Sequence, residues 1–450
     1  MRQSFDLIVL GVGMAAVSAA NKCSSAGWSV AVVDELPYGG TCALRGCDPK
    51  KMLRRGAEII DAARLMRGKG IKDAGLRIDW ADLVAFKRSF TEKMPRRIED
   101  SLEHHGIATF HGPARFVDHH AIEVNGVRLE GRYLLIASGA KPRPLNVPGT
   151  EYLVDSTRFM ELEALPKRIL FVGGGFISFE FAHIAARAGS EVTILDHGSK
   201  PLKAFDPDLV DKLMERSRAV GIEINLNTQL KSIGKSSEGF TVLAEKDGND
   251  QHWIVDLVVH GAGRMPAIEN LNLAAVGVKA GEKGVMVNDY LQSVSNPAIY
   301  AAGDAADTPG APLTPVAVFE GKVVASNMLK GNHAKPDYRG VPTVVFTIPE
   351  LARVGLLEAE AKDQGREVRT VFTDTHGWYS NLRVGETCAA TKIIIDERTD
   401  EILGAHMIGP EYAELINYFG FAMRLGLKTT DLKKMVSAYP TVGSDLGSMF

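Results

Sequence analysis

The sequence predicts an α/β chain in which one βαβ module occurs twice and a separate α+β domain follows. Three observations carry that prediction. A strand, a glycine-rich turn, a small-residue helix, a glycine stop and a second strand run from residue 5 to 34, and the same grammar returns from 168 to 196. Each copy ends its second strand on an acid. Beyond about residue 336 the pattern changes to antiparallel-like strands followed by helices.

The first element, FDLIVL at 5–10, is a short apolar run that meets glycines; it reads as a core strand and not as an export signal. GVGMAA then opens the helix Ala15 to Ala26, Gly27 stops it, and WSVAVVD is the second strand. The turn holds Gly11 and Gly13, with Ala16 in the third place and Asp34 standing 21 positions after Gly13. In the second copy Gly173 and Gly175 are followed by Ser178 in the third place, and Asp196 stands 21 positions after Gly175. The spacing has a physical reason. The first glycine makes a tight turn, the second lets backbone approach a pyrophosphate, and the third small residue permits close helix–strand packing. The helix N-terminus faces the phosphates, and an acid about 20 residues on accepts from a ribose hydroxyl. Two complete copies predict two bound dinucleotides. Between them, 51–66 and 81–106 read as two helical stretches, and YLLIASGAKP at 133–142 as a strand ending in a turn at Gly139. Segments between 222 and 262 read as strands of the second module, and KIIIDE, ILGAHMIG and helices at 411–425 and 429–437 make up the last domain.

Composition narrows the function. The chain has 450 residues, 45% apolar and 24% charged, which is ordinary globular material for about three domains. The formal charge of −3 offers no basic excess to hold nucleic acid. No stretch approaches the roughly 18 apolar residues of a membrane span, and the expectation is a cytoplasmic chain without a membrane partner. Of the four cysteines only Cys42 and Cys47 sit close together, in GGTCALRGCDPKKML at 39–53. Zinc would need further cysteines at ligand spacing, and no metal site is expected. Two thiols that merely pack are one alternative. The other is a redox-active pair: Gly39, Gly40, Gly46 and Pro49 shape a turn before a helix start, and Arg45, Lys50 and Lys51 supply the positive charge that favours a thiolate. His104, His105, His119 and His120 form two adjacent pairs whose side chains point apart, Cys23 and Cys388 read as packing, and Trp378 and Tyr379 as loop packing or a channel wall.

At these residues the chain resembles the flavoprotein pyridine nucleotide-disulfide oxidoreductase family, which includes glutathione reductase, dihydrolipoamide dehydrogenase and mercuric reductase. The family pattern GGTCxxxGCxPxK is matched by Gly39, Gly40, Thr41, Cys42, Gly46, Cys47, Pro49 and Lys51. HGAGRMP, with Gly263 and Arg264, resembles the GRxP stretch, and NPAIYAAGDAA, with Gly303 and Asp304, resembles the second flavin motif. LTPVAVFEG, with Thr314, Pro315, Val316 and Ala317, and VPTVVFTIPELARVG resemble the segments beside the flavin and opening the dimerisation domain. The resemblance implies two Rossmann-like dinucleotide-binding domains plus a C-terminal α+β dimerisation domain: 1–149 and 266–335 for FAD, 150–265 for NAD(P), and 336–450 for dimerisation. It implies FAD on the first fingerprint and NADH or NADPH on the second. It also makes Cys42–Cys47 the redox disulfide, with Cys47 nearest the flavin and Cys42 attacking substrate, and sets the pair Lys51–Glu180 near flavin N5.

One segment departs from the family. Where most of its disulfide reductases carry HPTxxE, a histidine base held by a glutamate and supplied by the partner subunit, this chain reads AYPTVGSD, with Tyr439 for His and Ser444 for Glu. A phenol of pKa about 10 does not replace an imidazole of about 6.5 as a base at neutral pH, although it donates a proton or hydrogen bond. SDLGSMF carries no cysteine pair of the mercuric-reductase kind. The expectation is a homodimeric FAD-dependent NAD(P)H oxidoreductase that passes electrons through Cys42–Cys47 to a small-molecule disulfide. A metal ion or quinone as acceptor, or a non-catalytic flavin redox sensor, are the alternatives. Asp196 argues for NADH, whereas His197, Lys200 and Lys203 offer positive charge to the 2′-phosphate of NADPH.

Overall fold

The structure, a computed structural model, describes residues 2–450. The chain forms two compact units. One comprises the residues up to Lys50, Ala85–Arg143 and Arg264–Tyr338; the other comprises Lys51–Val84, Pro144–Gly263 and Arg339–Phe450.

In the first unit the strand Arg2–Leu10 lies between Val30–Asp34 and Val127–Ile136, parallel to both. Ala108–His111 extends the parallel sheet beyond Val30–Asp34. The C-terminal half of Val127–Ile136 pairs with Ile299–Ala301, and its N-terminal half with an antiparallel ribbon of Ala121–Val124 and Ala114–Asp118. The unbroken apolar run Leu7 to Leu10 is what a strand covered on both faces requires. Leu7 and Val9 pack with Ala15, Ala16 and Ala19, whereas Ile8 and Leu10 pack with Phe116, Ile122 and Val285. The small residues of the helix Met14–Ser25 have a steric reason as well. A Cβ on Gly321, in the helix Thr314–Lys330, would lie 2.3 Å from Ala15 O, so the two helices meet backbone to backbone.

In the second unit the repeated module appears as Arg168–Val172 between Glu191–Leu195 and Leu257–His260, with Ile222–Asn225 and Leu153–Val154 at the edges, all parallel. The strands Thr228–Ser236, Gly239–Lys246 and Asn249–Val255 make a separate antiparallel sheet. A further antiparallel sheet runs in the order Thr343–Val345, Glu350–Gly355, Ile402–Gly409, Ala390–Asp396, Val368–Asp374, and Leu415, Ile416 and Phe419 of the helix Tyr412–Leu425 pack with its apolar residues.

Three helices differ from the sequence reading. The stretch 81–106 is two helices, Trp80–Thr91 and Met94–His104, because Pro95 lacks the amide that a continuous helix needs and suits the first turn of a new one. The first helical stretch starts earlier, at Cys47, and the last helix is the single turn Thr429–Leu432.

The Gly321 contact yields a stability prediction. Gly321→Ala gains up to about 1 kcal/mol of helix propensity but drives a methyl group into the Ala15 carbonyl, an overpacking cost of about 1–3 kcal/mol. Net destabilisation in denaturant unfolding is expected; a stabilised variant would show that the helices can part without cost.

Candidate active site

Both fingerprints are built the same way. Gly11 has φ +99°, and a Cβ there would lie 2.4 Å from Ala137 O; Gly173 has φ +103°, with Ala262 Cα at 2.6 Å. The helices that follow start at Met14 and Phe176, and neither N-terminus is capped by a side chain. Their first-turn amides and positive dipole ends suit a pyrophosphate. Ala16 and Ser178 are fully buried, and a Cβ on Gly261 would meet Ser178 Oγ at 1.9 Å, which shows how closely helix and strand end approach. The two acids are held differently. Asp34 accepts from Val12 N at 2.8 Å and Leu36 N at 2.9 Å; burial raises its pKa, against those amides and Arg45. Asp196 is buried beside Gly174, where a Cβ would lie 2.5 Å from Oδ2, and His197 Nδ1 is 3.5 Å from its Oδ1. Lys200 lies 3.7 Å from Asp211.

The cysteines sit on two consecutive helices where the sequence suggested a turn before a helix start. Cys42 lies in Gly40–Arg45, and Cys47 is the first residue of Cys47–Leu65. Gly40 has φ +64°, and a Cβ there would lie 2.7 Å from Gly13 Cα, so the cysteine turn rests directly on the first fingerprint; Thr41 beside it is exposed. Cys47 Sγ lies 3.5 Å from Thr314 Oγ1. The neighbouring Cys42 thiol is the main cause that lowers the Cys47 pKa from 9.0 to about 6, helped by Thr314 and Lys50 against burial and Asp48. The Cys47 thiol, with burial, pushes Cys42 far up.

Thr314 and Pro315 open the helix Thr314–Lys330, followed by buried Val316 and by Ala317, whose Cβ is 3.3 Å from the place a Cβ on Gly303 would take. Gly303 turns at φ +66° and sets Asp304 beside it, where burial raises the carboxyl pKa and Arg264 opposes the rise. Arg264 also donates to Ala140 O, next to Gly139, whose carbonyl accepts from Ala267 N at 2.9 Å. Gly263 has φ +100°. One residue here escaped the sequence reading. Glu320, fully buried, accepts from Gly303 N at 2.6 Å, Thr308 Oγ1 at 2.8 Å and Tyr338 OH at 2.7 Å, fixing the turn that carries Asp304. The signal was available: an acid inside the apolar run VAVFEGKVVA.

In the second unit Lys51 and Glu180 converge on Phe346. Phe346 N donates to Glu180 Oε1 at 2.8 Å, and the Lys51 ammonium sits 3.6 Å from the centre of the Phe346 ring. Arg54 donates to Phe346 O and Thr347 O, both at 2.8 Å, and lies 3.3 Å from Glu350. Desolvation and then Arg54 lower the Lys51 pKa, against Glu350, Glu58 and Glu180. Tyr439 is 80% exposed, in an apolar stretch with Met435 and Val436. Ser444, in the glutamate's place, donates to Thr441 O at 2.6 Å, and its amide donates to Thr441 Oγ1. Burial raises both Cys23 and Cys388 to about 12, which leaves them inert thiols. Tyr379 and the histidines 104 and 105 are exposed.

The fingerprints, the cysteine turn and the Gly303–Asp304 turn thus fit a flavin nucleotide and a second nucleotide. The family description "Pyridine nucleotide-disulphide oxidoreductase" matches residues 5–321, and its dimerisation domain matches 341–449. The chain belongs to this family. It is 33% identical over 447 residues to a mercuric reductase of Staphylococcus aureus, covering 98% of this chain and 81% of that protein. It is 31% identical over 457 residues to the chloroplastic/mitochondrial glutathione reductase of Pisum sativum, covering 99% and 82%. The Cu(II) complex of the HOCl-induced flavoprotein disulfide reductase RclA from Escherichia coli superposes with a TM-score of 0.88 at 26% identity, covering 99% of both chains. As a family member the chain is an NAD(P)H-dependent flavoprotein disulfide oxidoreductase, and its dimerisation domain implies a homodimer. FAD and a pyridine nucleotide are the family's cofactors. Among the described residues no helix is long and apolar enough to cross a membrane.

The cysteine geometry predicts a pH dependence. A thiol with a lowered pKa is thiolate above that pKa and is protonated as pH falls through it. In the dithiol protein, thiolate absorbance near 240 nm should appear with a midpoint of about 6. In Cys42→Ala, which loses the neighbouring thiol, the midpoint should move toward 9.0. An unchanged midpoint would assign the shift to another cause.

Proposed function

We propose that the protein takes two electrons from a nicotinamide nucleotide and delivers them, through Cys42 and Cys47, to a disulfide or another two-electron acceptor. The observation that supports this best is the pair Cys42 and Cys47 on two consecutive helices, seated on the first fingerprint through Gly40 and Gly13. The first fingerprint with Asp34, Gly303, Asp304 and the residues 314–317 would hold FAD, and the second with Asp196 the nicotinamide nucleotide. Bound FAD would relay the electron pair from the nicotinamide to the cysteines. Lys51 and Glu180, both in contact with Phe346, match the charge pair by which the family would tune its cofactor.

The chain's own chemistry is thiol exchange. Cys42 passes its proton to the Cys47 thiolate and, as thiolate, attacks one sulfur of the substrate disulfide; the other leaves as thiolate and takes up a proton. Cys47, again thiolate after releasing its proton, attacks Cys42 Sγ, restoring the Cys42–Cys47 disulfide and expelling the second thiol. Tyr439 of the partner subunit donates a proton or holds substrate and does not act as a base. A metal ion is the second reading for the acceptor, favoured by the likeness to a mercuric reductase and to a flavoprotein solved with Cu(II). NADH is the favoured coenzyme, because the buried Asp196 carboxylate would accept from a 2′-hydroxyl and repel a 2′-phosphate.

NADH and NADPH oxidation against a panel of disulfides, metal ions and quinones tests the reading. Turnover with at least one acceptor is expected, with a higher kcat/KM for NADH. Two-electron reduction should produce a long-wavelength thiolate-to-flavin band that Cys42→Ser keeps and Cys47→Ser loses. No turnover with any acceptor would favour a redox sensor, and a band surviving in Cys47→Ser would refute the assignment of that thiol.

Tyr439→Phe removes only the hydroxyl. Rapid-reaction kinetics should show flavin reduction at the wild-type rate and the oxidative half-reaction slowed by about 10²-fold or more, the usual loss for a positioned acid. If both halves run at wild-type rates, Tyr439 is packing.

A further inference from the structure

The loop between Glu191–Leu195 and the helix Pro207–Ala219 carries Asp196, His197, Lys200 and Lys203, the residues that would meet the adenosine ribose. Its conformation is not one the chain adopts unaided. Leu202 is buried at φ +48°, a left-handed backbone that a bulky side chain keeps only where its surroundings impose it.

Three contacts impose it. Leu202 N donates to Gly174 O at 2.9 Å, tying the loop to the glycine turn of the fingerprint. The Arg353 guanidinium donates to Ala204 O. The Lys392 ammonium lies 3.1 Å from Asp206 Oδ2, 2.8 Å from Asp208 Oδ2 and 3.2 Å from Glu358 Oε2. Asp206 is committed on its other oxygen, which caps the helix by accepting from Asp208 N at 3.1 Å and Leu209 N at 3.4 Å. Arg353 and Lys392 both pair in register with His406, so the two anchors rise from one face of the antiparallel sheet. Asp206 and Lys392 are both buried, and removing one member of such a pair strands the other charge. Leu202 and Phe205 pack into the core, and beside them the anchor residues Asp206 and Lys392 line a cleft of about 610 Å³ together with Pro201, Lys203 and Leu357, into which the exposed part of a loop freed from its anchor has room to move.

We propose that Lys392, acting through Asp206, is a positioning residue for the nicotinamide nucleotide: it holds the 196–206 loop in the conformation that receives the adenosine end. This rests on the reading of the Gly173–Asp196 module as the nucleotide site. Because the anchor acts at the adenosine end, its loss should be felt equally by NADH and by ADP-ribose, which lacks the nicotinamide.

Calorimetric titration of NADH, NADPH and ADP-ribose into the FAD-loaded dimer decides the matter, with wild type, Lys392→Met and Lys392→Arg compared and flavin content and Tm recorded for each. Lys392→Met should bind the preferred nucleotide and ADP-ribose about tenfold more weakly, a change of about 1.4 kcal/mol. The nucleotide KM should rise with kcat little changed, and Lys392→Arg should restore most of the affinity. Wild-type affinities in a Lys392→Met protein of lowered Tm would reduce Lys392 to a stability role and overturn the proposal, as would a loss confined to NADH and NADPH. If Lys392→Met does not fold, Asp206→Asn, which keeps a cap oxygen and gives up the charge, carries the same expectations and the same refutations. A wild-type dimer that binds none of the three ligands would overturn the nucleotide reading together with the proposal, whereas normal wild-type binding with an unaffected variant overturns the proposal alone.

Discussion

The contact between Gly13 and Gly40 is the constraint on which the chemistry of the first unit depends. With no Cβ on either residue, the turn that opens the first helix and the turn that carries Cys42 come into backbone contact; a Cβ on Gly40 would lie 2.7 Å from Gly13 Cα. The N-terminus of the first fingerprint helix and the turn of Cys42 are thereby built as one object. Any side chain at Gly40 would be strained twice, by its positive φ and by this collision. Gly46 is confined in a similar way from the other end of the short helix, where a Cβ would meet Thr41 O at 2.9 Å.

The two βαβ modules show how far one local grammar determines structure. Gly11 and Gly173 take nearly the same φ and press against the same kind of neighbour, the backbone just past the adjacent strand. The acids diverge because their surroundings do. Asp34 is oriented by two amides of its own unit's turns, whereas Asp196 is oriented by the clearance at Gly174 and leads directly into a loop anchored on a distant sheet. Equivalent positions in a repeated motif thus differ in which long-range contacts constrain them.

That distinction marks what could be read from the chain. The glycine spacing, the terminal acids, the cysteine pair and the change of pattern near residue 336 were legible, because each depends on residues within about one supersecondary unit. The break at Pro95 was equally local and was passed over, since the apolar pattern continues across it. Glu320 left a local trace, an acid inside an apolar run, but Phe346 was not legible as a site residue. Phe346 reaches Glu180 across 166 positions, and the sequence shows an ordinary strand-end aromatic there. The charges around Asp61 are a third case: Arg187 at 2.8 Å and Arg216 at 3.0 Å share its carboxylate although both look like surface helix residues, and only the fold shows Asp61 and Arg187 buried, with Arg216 half-buried beside them.

The helix Thr314–Lys330 shows why such hidden contacts matter for function. Thr314 at its start touches Cys47 Sγ, and Glu320 less than two turns later holds Gly303 N and so the turn of Asp304. Gly321, the next residue, locks the same helix onto Ala15 of the first fingerprint helix. Three neighbouring requirements therefore fall on one rigid element: a hydroxyl at the thiol, a carboxylate under the Asp304 turn and a missing side chain at the helix crossing. A small shift of this helix would disturb all three together, because a packed interior transmits displacement and does not absorb it locally. The buried Glu320 carboxylate, satisfied by three donors, sets the position of the helix relative to the turn, and its burial is tolerable only because those donors are present. In the first unit the placement of the thiols and of Asp304 is thus one packing problem with a single solution.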